Sequence, residues 1–280
     1  MDRVKNQAFR ESLTSGRHNA PLNAFLARTA AAVRRVYHGP ITYASLPFET
    51  VDWGPFDIVG VDHYRAGPAK EQYVEMLEPL FATGKPVVNT EFGMGTYVGA
   101  DEKGMLANLG GMVDVKTLFA HAVPLVGRLV RPRLNGRYVR DEEFQARELT
   151  ETLAILDGAG VDGAFVATFL HAINPYDEDP LYDLDMSVST LVKTLTAGKH
   201  GTTYPDMTWE PKASFRAVAP ITAPRDSYPA RGTHCSQPAS SHPSRSGTFT
   251  SSVRLVSYRV DRGPSVVGSR QLKRRRRLSW

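Results

Sequence analysis

GKPVVNTEFG, residues 84–93, is the stretch on which the reading of this chain turns. Gly84, Lys85 and Pro86 stop whatever precedes them. The run that follows is apolar and short, the pattern of a strand buried on both faces. Glu91 stands at its C-terminal end, directly before Phe92 and Gly93. A carboxylate there is held by a rigid element and aimed outward from the sheet, which is how a reactive group is best positioned.

Three other segments read the same way. Residues 41–46 (ITYASL), 56–61 (FDIVGV) and 163–170 (GAFVATFL) are apolar runs of strand length. Helical stripes lie between and before them. Leu22, Phe25, Leu26, Thr29, Val33 and Val36 recur at helical spacing up to Gly39-Pro40, and Tyr73, Leu77, Leu80 and Phe81 do so across 71–81. Asp141 is placed to cap a third helix, with Glu142 and Glu143 in its first turn and Leu149, Leu153 and Leu156 on one face, closing at 158–160. A last helix is expected over 186–195. Strands that alternate with helical crossovers imply an α/β protein with a parallel sheet.

The chain has 280 residues, of which 41% are hydrophobic, enough for a sizeable core. Its net charge of +5 is unevenly shared. Residues 222–280 hold twelve Lys and Arg against two Asp, so residues 1–221 carry −5. The basic balance therefore belongs to a tail rich in Ser, Arg, Pro and Gly, which is expected to be disordered. Nucleic acid is expected at most as a weak partner of that tail, because no aromatic residues interleave the basic run 273–277. No apolar run reaches membrane-spanning length and the first twenty residues lack a secretory pattern, so a cytoplasmic protein with no membrane partner is the expectation. The single cysteine, Cys235, and the lack of zinc spacing leave no metal and no cofactor expected.

Periodicity alone does not separate an open doubly wound sheet from part of a (β/α) barrel. The polar residues do: Glu49, the triplet Asp62-His63-Tyr64, Glu91, His171 and Asn174 all follow strand ends, and in a barrel these ends share one mouth. The segments ITYASLPFE, FDIVGVDHY, KPVVNTEFG and GAFVATFL resemble, in order, strands five to eight of the large (β/α)8 clan of retaining glycosidases. A closer resemblance is to actinobacterial proteins with this barrel that are labelled abortive phage infection proteins. It runs through LNAFLAR (22–28), YASLP (43–47), VDW (51–53), TEFG (90–93), RDE (140–142), DLDM (183–186) and YPDMTWEPK (204–212). The resemblance implies a partial TIM barrel, about strands five to eight with their helices, over residues 1–221. It also implies hydrolysis of a glycosidic bond with Glu91 as the nucleophile.

The departures from that pattern bear on activity. The clan carries its acid/base carboxyl at the end of strand four, and this chain begins after that strand. A retaining pair needs a second carboxyl about 5–5.5 Å from the first. Within the chain only Glu49, Asp62 or Asp177 could substitute, and none holds the matching position. The expected chain is thus a C-terminal half, with a tail whose composition is that of a shifted reading frame, inactive as encoded. Its open edges favour self-association or a second chain that supplies the missing strands. The rival expectation is a non-catalytic protein of phage defence, or one that binds a carbohydrate or another partner.

Around Glu91, Tyr64 is placed to orient the carboxylate by a hydrogen bond. Asp62, His63, His171 and Asn174 are candidate contacts to sugar hydroxyls. Tyr97 lies in the glycine-rich stretch 94–140, a lid or an insertion, from which it could reach over Glu91. Trp53 and Trp209 are expected to pack. The acidic run from Asp177 to Asp185 lacks the spacing of a calcium loop and is expected to be a solvated loop that caps the last helix through Asp185.

Overall fold

The computed structural model describes residues 11, 15–67, 70–103, 111–123, 126–127 and 129–222; residues 223–280 of the expected disordered tail lie outside them. Four strands form one sheet: β1 (Ala44–Ser45), β2 (Val59–Asp62), β3 (Val87–Phe92) and β4 (Gly163–Val166). All neighbours are parallel and their order is that of the chain, β1-β2-β3-β4. Right-handed crossovers between successive strands in such an order place the connecting helices on one side. The alternation along β3 agrees: Val87 and Asn89 are fully buried, while Val88 and Thr90 on the other face are only partly so. On that second face Phe165 and Ala44 are exposed.

Helix α1 (Asn19–Arg34) precedes the sheet. It buries Leu26 and Ala30, four residues apart on one face, against Phe56, with Ile41, Tyr43 and Trp53 around them. Trp53 meets Phe56 edge-on at 5.8 Å, so it packs as expected. The stripe over 71–81 is not one helix. It becomes turns, a 3₁₀ turn at Glu75–Leu77 and a four-residue helix α2 (Glu78–Phe81). Pro79 explains this, since it lacks a donor and its ring excludes a helical carbonyl four residues before it. The stretch after β3 contains helix α3 (Val115–Ala122), capped by Asp114.

Helix α4 (Glu142–Gly158) forms as its sequence implies. The Asp141 carboxylate accepts from the Phe144 N–H at 2.8 Å, and Leu149, Leu153 and Leu156 pack on Val61, Phe92 and Ala164 of the sheet. The expected helix over 186–195 is absent. A 3₁₀ turn at Leu184–Ser187 leads instead to β5 (Val192–Thr194), which pairs antiparallel with β6 (Trp209–Pro211); helix α5 (Ala213–Thr222) follows. Hydroxyls and β-branched residues outcompete the apolar stripe here: Ser187 donates to the Leu184 carbonyl and Thr190 to Asp185.

A second correction concerns the acidic run. Asp183 and Asp185 are buried at 2% and 1% exposure, where a solvated loop was expected. Arg140 reaches Asp183 at 2.8 Å and Asp185 at 2.9 Å, and Lys212, itself fully buried, reaches Asp185 at 2.7 Å. Lys212 also donates to the hydroxyls of Thr96 and Thr190. Burial pushes Lys212 down to about 8, although Asp185 opposes it, and burial pushes Asp183 up to about 6 against the pull of Arg140. This cluster joins the segment after β3, the start of α4 and the chain ahead of α5.

Candidate functional site

The strand ends carry a group of three carboxylates and two phenols. β2 and β3 run in simple register up to Val61 opposite Asn89, then Asp62 stands opposite Glu91, so Thr90 is an extra residue. A matching shift separates β3 from β4 between Asn89 and Phe92. This irregularity is why Asn89 and Phe92 are both fully buried although three positions apart, and it turns Glu91 out to solvent. Bulges of this kind re-aim a side chain at the end of a strand.

The Tyr64 hydroxyl donates to Glu91 Oε2 at 2.9 Å. Burial, then the Glu91 charge, holds that phenol far above its ordinary range, so it stays a neutral donor. Next to it, the Thr90 hydroxyl donates to Asp62 Oδ1 at 2.8 Å. Burial raises the Asp62 carboxyl above the usual carboxylate range; the Thr90 bond opposes that and the charges of Glu91 and Glu49 add to it. Glu49 is returned to its own strand end by a turn in which its N–H donates to the Leu46 carbonyl. Its carboxylate then accepts from the Leu46 N–H at 2.8 Å and the Tyr43 hydroxyl at 3.1 Å. Burial first, then Glu49, raises the Tyr43 phenol. The chemistry on offer is an oriented, exposed carboxylate beside a carboxyl that keeps its proton more readily than an ordinary one.

The other sequence candidates lie elsewhere. His63 is 2% exposed, with its ring stacked on Tyr73 at 4.1 Å and Nε2 donating to the Tyr73 carbonyl at 2.8 Å. Burial lowers its pKa, so it is a neutral core residue, locked with Asn89, which donates to the His63 carbonyl and the Tyr73 hydroxyl. It therefore packs beneath the strand ends, against Tyr73, and does not share the exposed position of Glu91. Tyr97 is likewise buried, edge-on to Tyr138 at 5.3 Å with the Lys103 ammonium 5.4 Å from its ring, and does not arch over Glu91. Asn174 donates to the Ser187 hydroxyl at 3.2 Å, and the His171 carbonyl accepts from Thr194. Both belong to the turn between β4 and β5, and no hydrogen bond ties either to the Glu91 group among the described residues. Asp177 pairs with Arg131.

Thr90 and Tyr43 were missed as members of the site. The signal for Tyr43 was present, because it sits in the strand preceding Glu49; the bulge that makes Thr90 a neighbour of Asp62 has no mark in a single sequence. Among the described residues no three His, Cys, Asp or Glu side chains are arranged to hold a metal ion, and no helix is long and apolar enough to cross a membrane. No protein-family model matches the chain, and no curated protein matches it either.

Proposed function

We propose that this chain is one half of a glycosidase-like (β/α)8 barrel, corresponding to about strands five to eight, and that Glu91 is the nucleophile of a retaining glycoside hydrolysis. One observation carries the reading: Glu91 leaves a bulge at the C-terminal end of a parallel strand with its carboxylate oriented by a neutral phenol at 2.9 Å. The strand order without reversal and the half-open second face support the barrel half, since an open doubly wound sheet reverses its order at a switch point. Glu91 attacks the anomeric carbon as the glycosidic bond breaks, a carboxylic acid across the cavity gives the leaving oxygen its proton, and water, deprotonated by the resulting carboxylate, then cleaves the glycosyl ester and frees Glu91. Asp62 and Glu49 stand beside Glu91 at the ends of the same four-stranded sheet, so these four strands by themselves are expected not to turn over an unactivated glycoside, which needs a carboxyl across the cavity.

The test uses a leaving group that departs without protonation. A panel of 2-deoxy-2-fluoroglycosyl fluorides should esterify Glu91, read by peptide mass spectrometry, and leave Glu91→Gln unmodified. Absence of labelling by every sugar of the panel refutes the proposal. A non-catalytic reading, phage defence or binding of a carbohydrate or protein, draws on one observation: neither the concavity lined by Gly67, Lys70, Glu71, Asp101 and Glu102 nor the one between α1 and Tyr43 includes Glu91. It requires that Glu91→Gln keep full ligand affinity in titration calorimetry.

A further inference from the structure

Asn89 is a fully buried amide in the middle of β3, and the chemistry proposed above makes no use of it. Asparagine is disfavoured in strands, and a buried amide is tolerated only where its hydrogen bonds are made. Here all of them go to the partner side of the bulge. Asn89 Oδ1 accepts from the His63 N–H at 3.2 Å, while Nδ2 donates to the His63 carbonyl at 2.9 Å and to the Tyr73 hydroxyl at 3.0 Å. Turned over, the amide would set its oxygen against the His63 carbonyl, so only this orientation satisfies it.

A side-chain amide offers the same donor and acceptor as a peptide group, and this one takes both backbone groups of His63 as a ladder partner would. The ladder itself is interrupted at this point, because Thr90 is an extra residue and a bulge leaves the pairing locally disrupted. The His63 N–H also donates to the Glu91 carbonyl at 3.0 Å, so it is tied to the residues on either side of Thr90. Tyr73 braces the arrangement. Its hydroxyl donates to the His63 carbonyl at 3.0 Å, its carbonyl accepts from His63 Nε2 at 2.8 Å, and the two rings stack within 5° of parallel. Burial holds the Tyr73 phenol above its ordinary range, so the hydroxyl keeps its proton. The residue after His63 is Tyr64, whose hydroxyl holds Glu91 at 2.9 Å. Both partners of that bond therefore start from the residue that Asn89 fixes.

We propose that Asn89 is a positioning residue for Glu91: seated on Tyr73, its amide fixes the shape of the bulge and so aims the Glu91 carboxylate at the Tyr64 hydroxyl. Parallel pairing brings Tyr64 and Glu91 to the same end of the sheet, and the clamp decides how they meet. The catalytic consequence rests on the hydrolase reading above, since a reacting group displaced by about 1 Å can lose on the order of a hundredfold in rate.

The experiment compares the full-length wild type with Asn89→Val, which keeps a strand-forming side chain without the amide, and with Tyr73→Phe, which keeps the stack and removes one hydroxyl. The first readout needs no substrate: it is the NMR signal of the Tyr64 ring carbon that bears the hydroxyl, assigned with Tyr64→Phe. In both variants it should move from its wild-type position toward the one it takes in Glu91→Ala, and further in Asn89→Val. The second is fluorosugar labelling of Glu91 against sugar concentration. Asn89→Val should lower the saturating rate of ester formation roughly tenfold to a hundredfold and leave the half-saturating concentration within about twofold, a split that general loosening of the fold does not produce. Asp141→Ala, which weakens the fold at the start of α4, should leave both readouts unchanged. A native Tyr64 signal in Asn89→Val that is folded by circular dichroism overturns the proposal, as does labelling at the wild-type rate. If Asn89→Val does not fold, a native Tyr64 signal in Tyr73→Phe overturns it. A wild type that no fluorosugar labels, with the Tyr64 signal displaced in the variants, refutes the hydrolase reading alone.

Discussion

Asp185→Ala tests whether the buried charge cluster holds the C-terminal third of the fold to the sheet. In the native protein Asp185 accepts from Lys212 at 2.7 Å, Arg140 at 2.9 Å and the Thr190 hydroxyl at 3.0 Å. Truncation leaves Lys212 fully buried with only the hydroxyls of Thr96 and Thr190, and leaves Arg140 with Asp183 and Glu142. Stripping one partner from a buried ion pair costs roughly 3–5 kcal/mol, a large share of the 5–15 kcal/mol typical of a whole domain. At about 2–4 °C per kcal/mol for a unit of this size, the melting temperature should fall by roughly 6–20 °C. Urea unfolding followed by tryptophan fluorescence is the assay, and Trp209, three residues from Lys212, reports on the region. Adding Lys212→Met should recover part of the loss, because the stranded ammonium is then gone; contacting residues couple by about 0.5–3 kcal/mol. A loss below about 1 kcal/mol, or strict additivity of the two changes, refutes the account of a dry cluster.

Three further outcomes follow from the same geometry. Asp183 is pushed up to about 6 from an ordinary 3.8, so its contribution is fully present below the lower value and lost as pH rises through the upper one. The stability of the wild type relative to Asp183→Asn should therefore fall by about 2 kcal/mol between pH 4 and pH 6.5, and a flat difference in urea titrations contradicts this. Gly60→Ala would place a Cβ 2.5 Å from the Tyr43 carbonyl oxygen and 2.7 Å from the Thr42 hydroxyl. That overpacking should cost about 1–3 kcal/mol and lower the exchange protection of β1 amides, whereas an unchanged melting curve argues against the β1–β2 pairing. Asp141→Ala removes the cap on the Phe144 N–H and should cost about 1 kcal/mol, readable as a shifted urea midpoint with an unchanged slope.

Local signals carried much of the architecture because each is written in adjacent residues. The four strands are apolar runs bounded by turn residues, and α4 is announced by Asp141, Glu142 and Glu143 and by its leucine spacing. Glu91 and Tyr64 were legible as a pair because both stand at the ends of neighbouring strands, and the 2.9 Å bond between them follows from parallel pairing. Where a local pattern met a stronger constraint it misled, as Pro79 broke the stripe over 71–81 and the hydroxyls of Ser187 and Thr190 drew 184–194 out of a helix.

What the sequence by itself determined is an α/β chain of parallel strands with a carboxylate at the end of the third. Tertiary structure alone decided which polar residues remain at that end. His63 and Tyr97 follow polar or glycine-rich signals yet lie buried on Tyr73 and Tyr138, while Asp183 and Asp185, acidic and loop-like in sequence, lie in the interior. The physical reason is that burial of a polar group depends on partners distant in the chain. Lys212 and Arg140 make two aspartates affordable inside the protein, and no pattern local to residues 177–185 records that those partners will arrive.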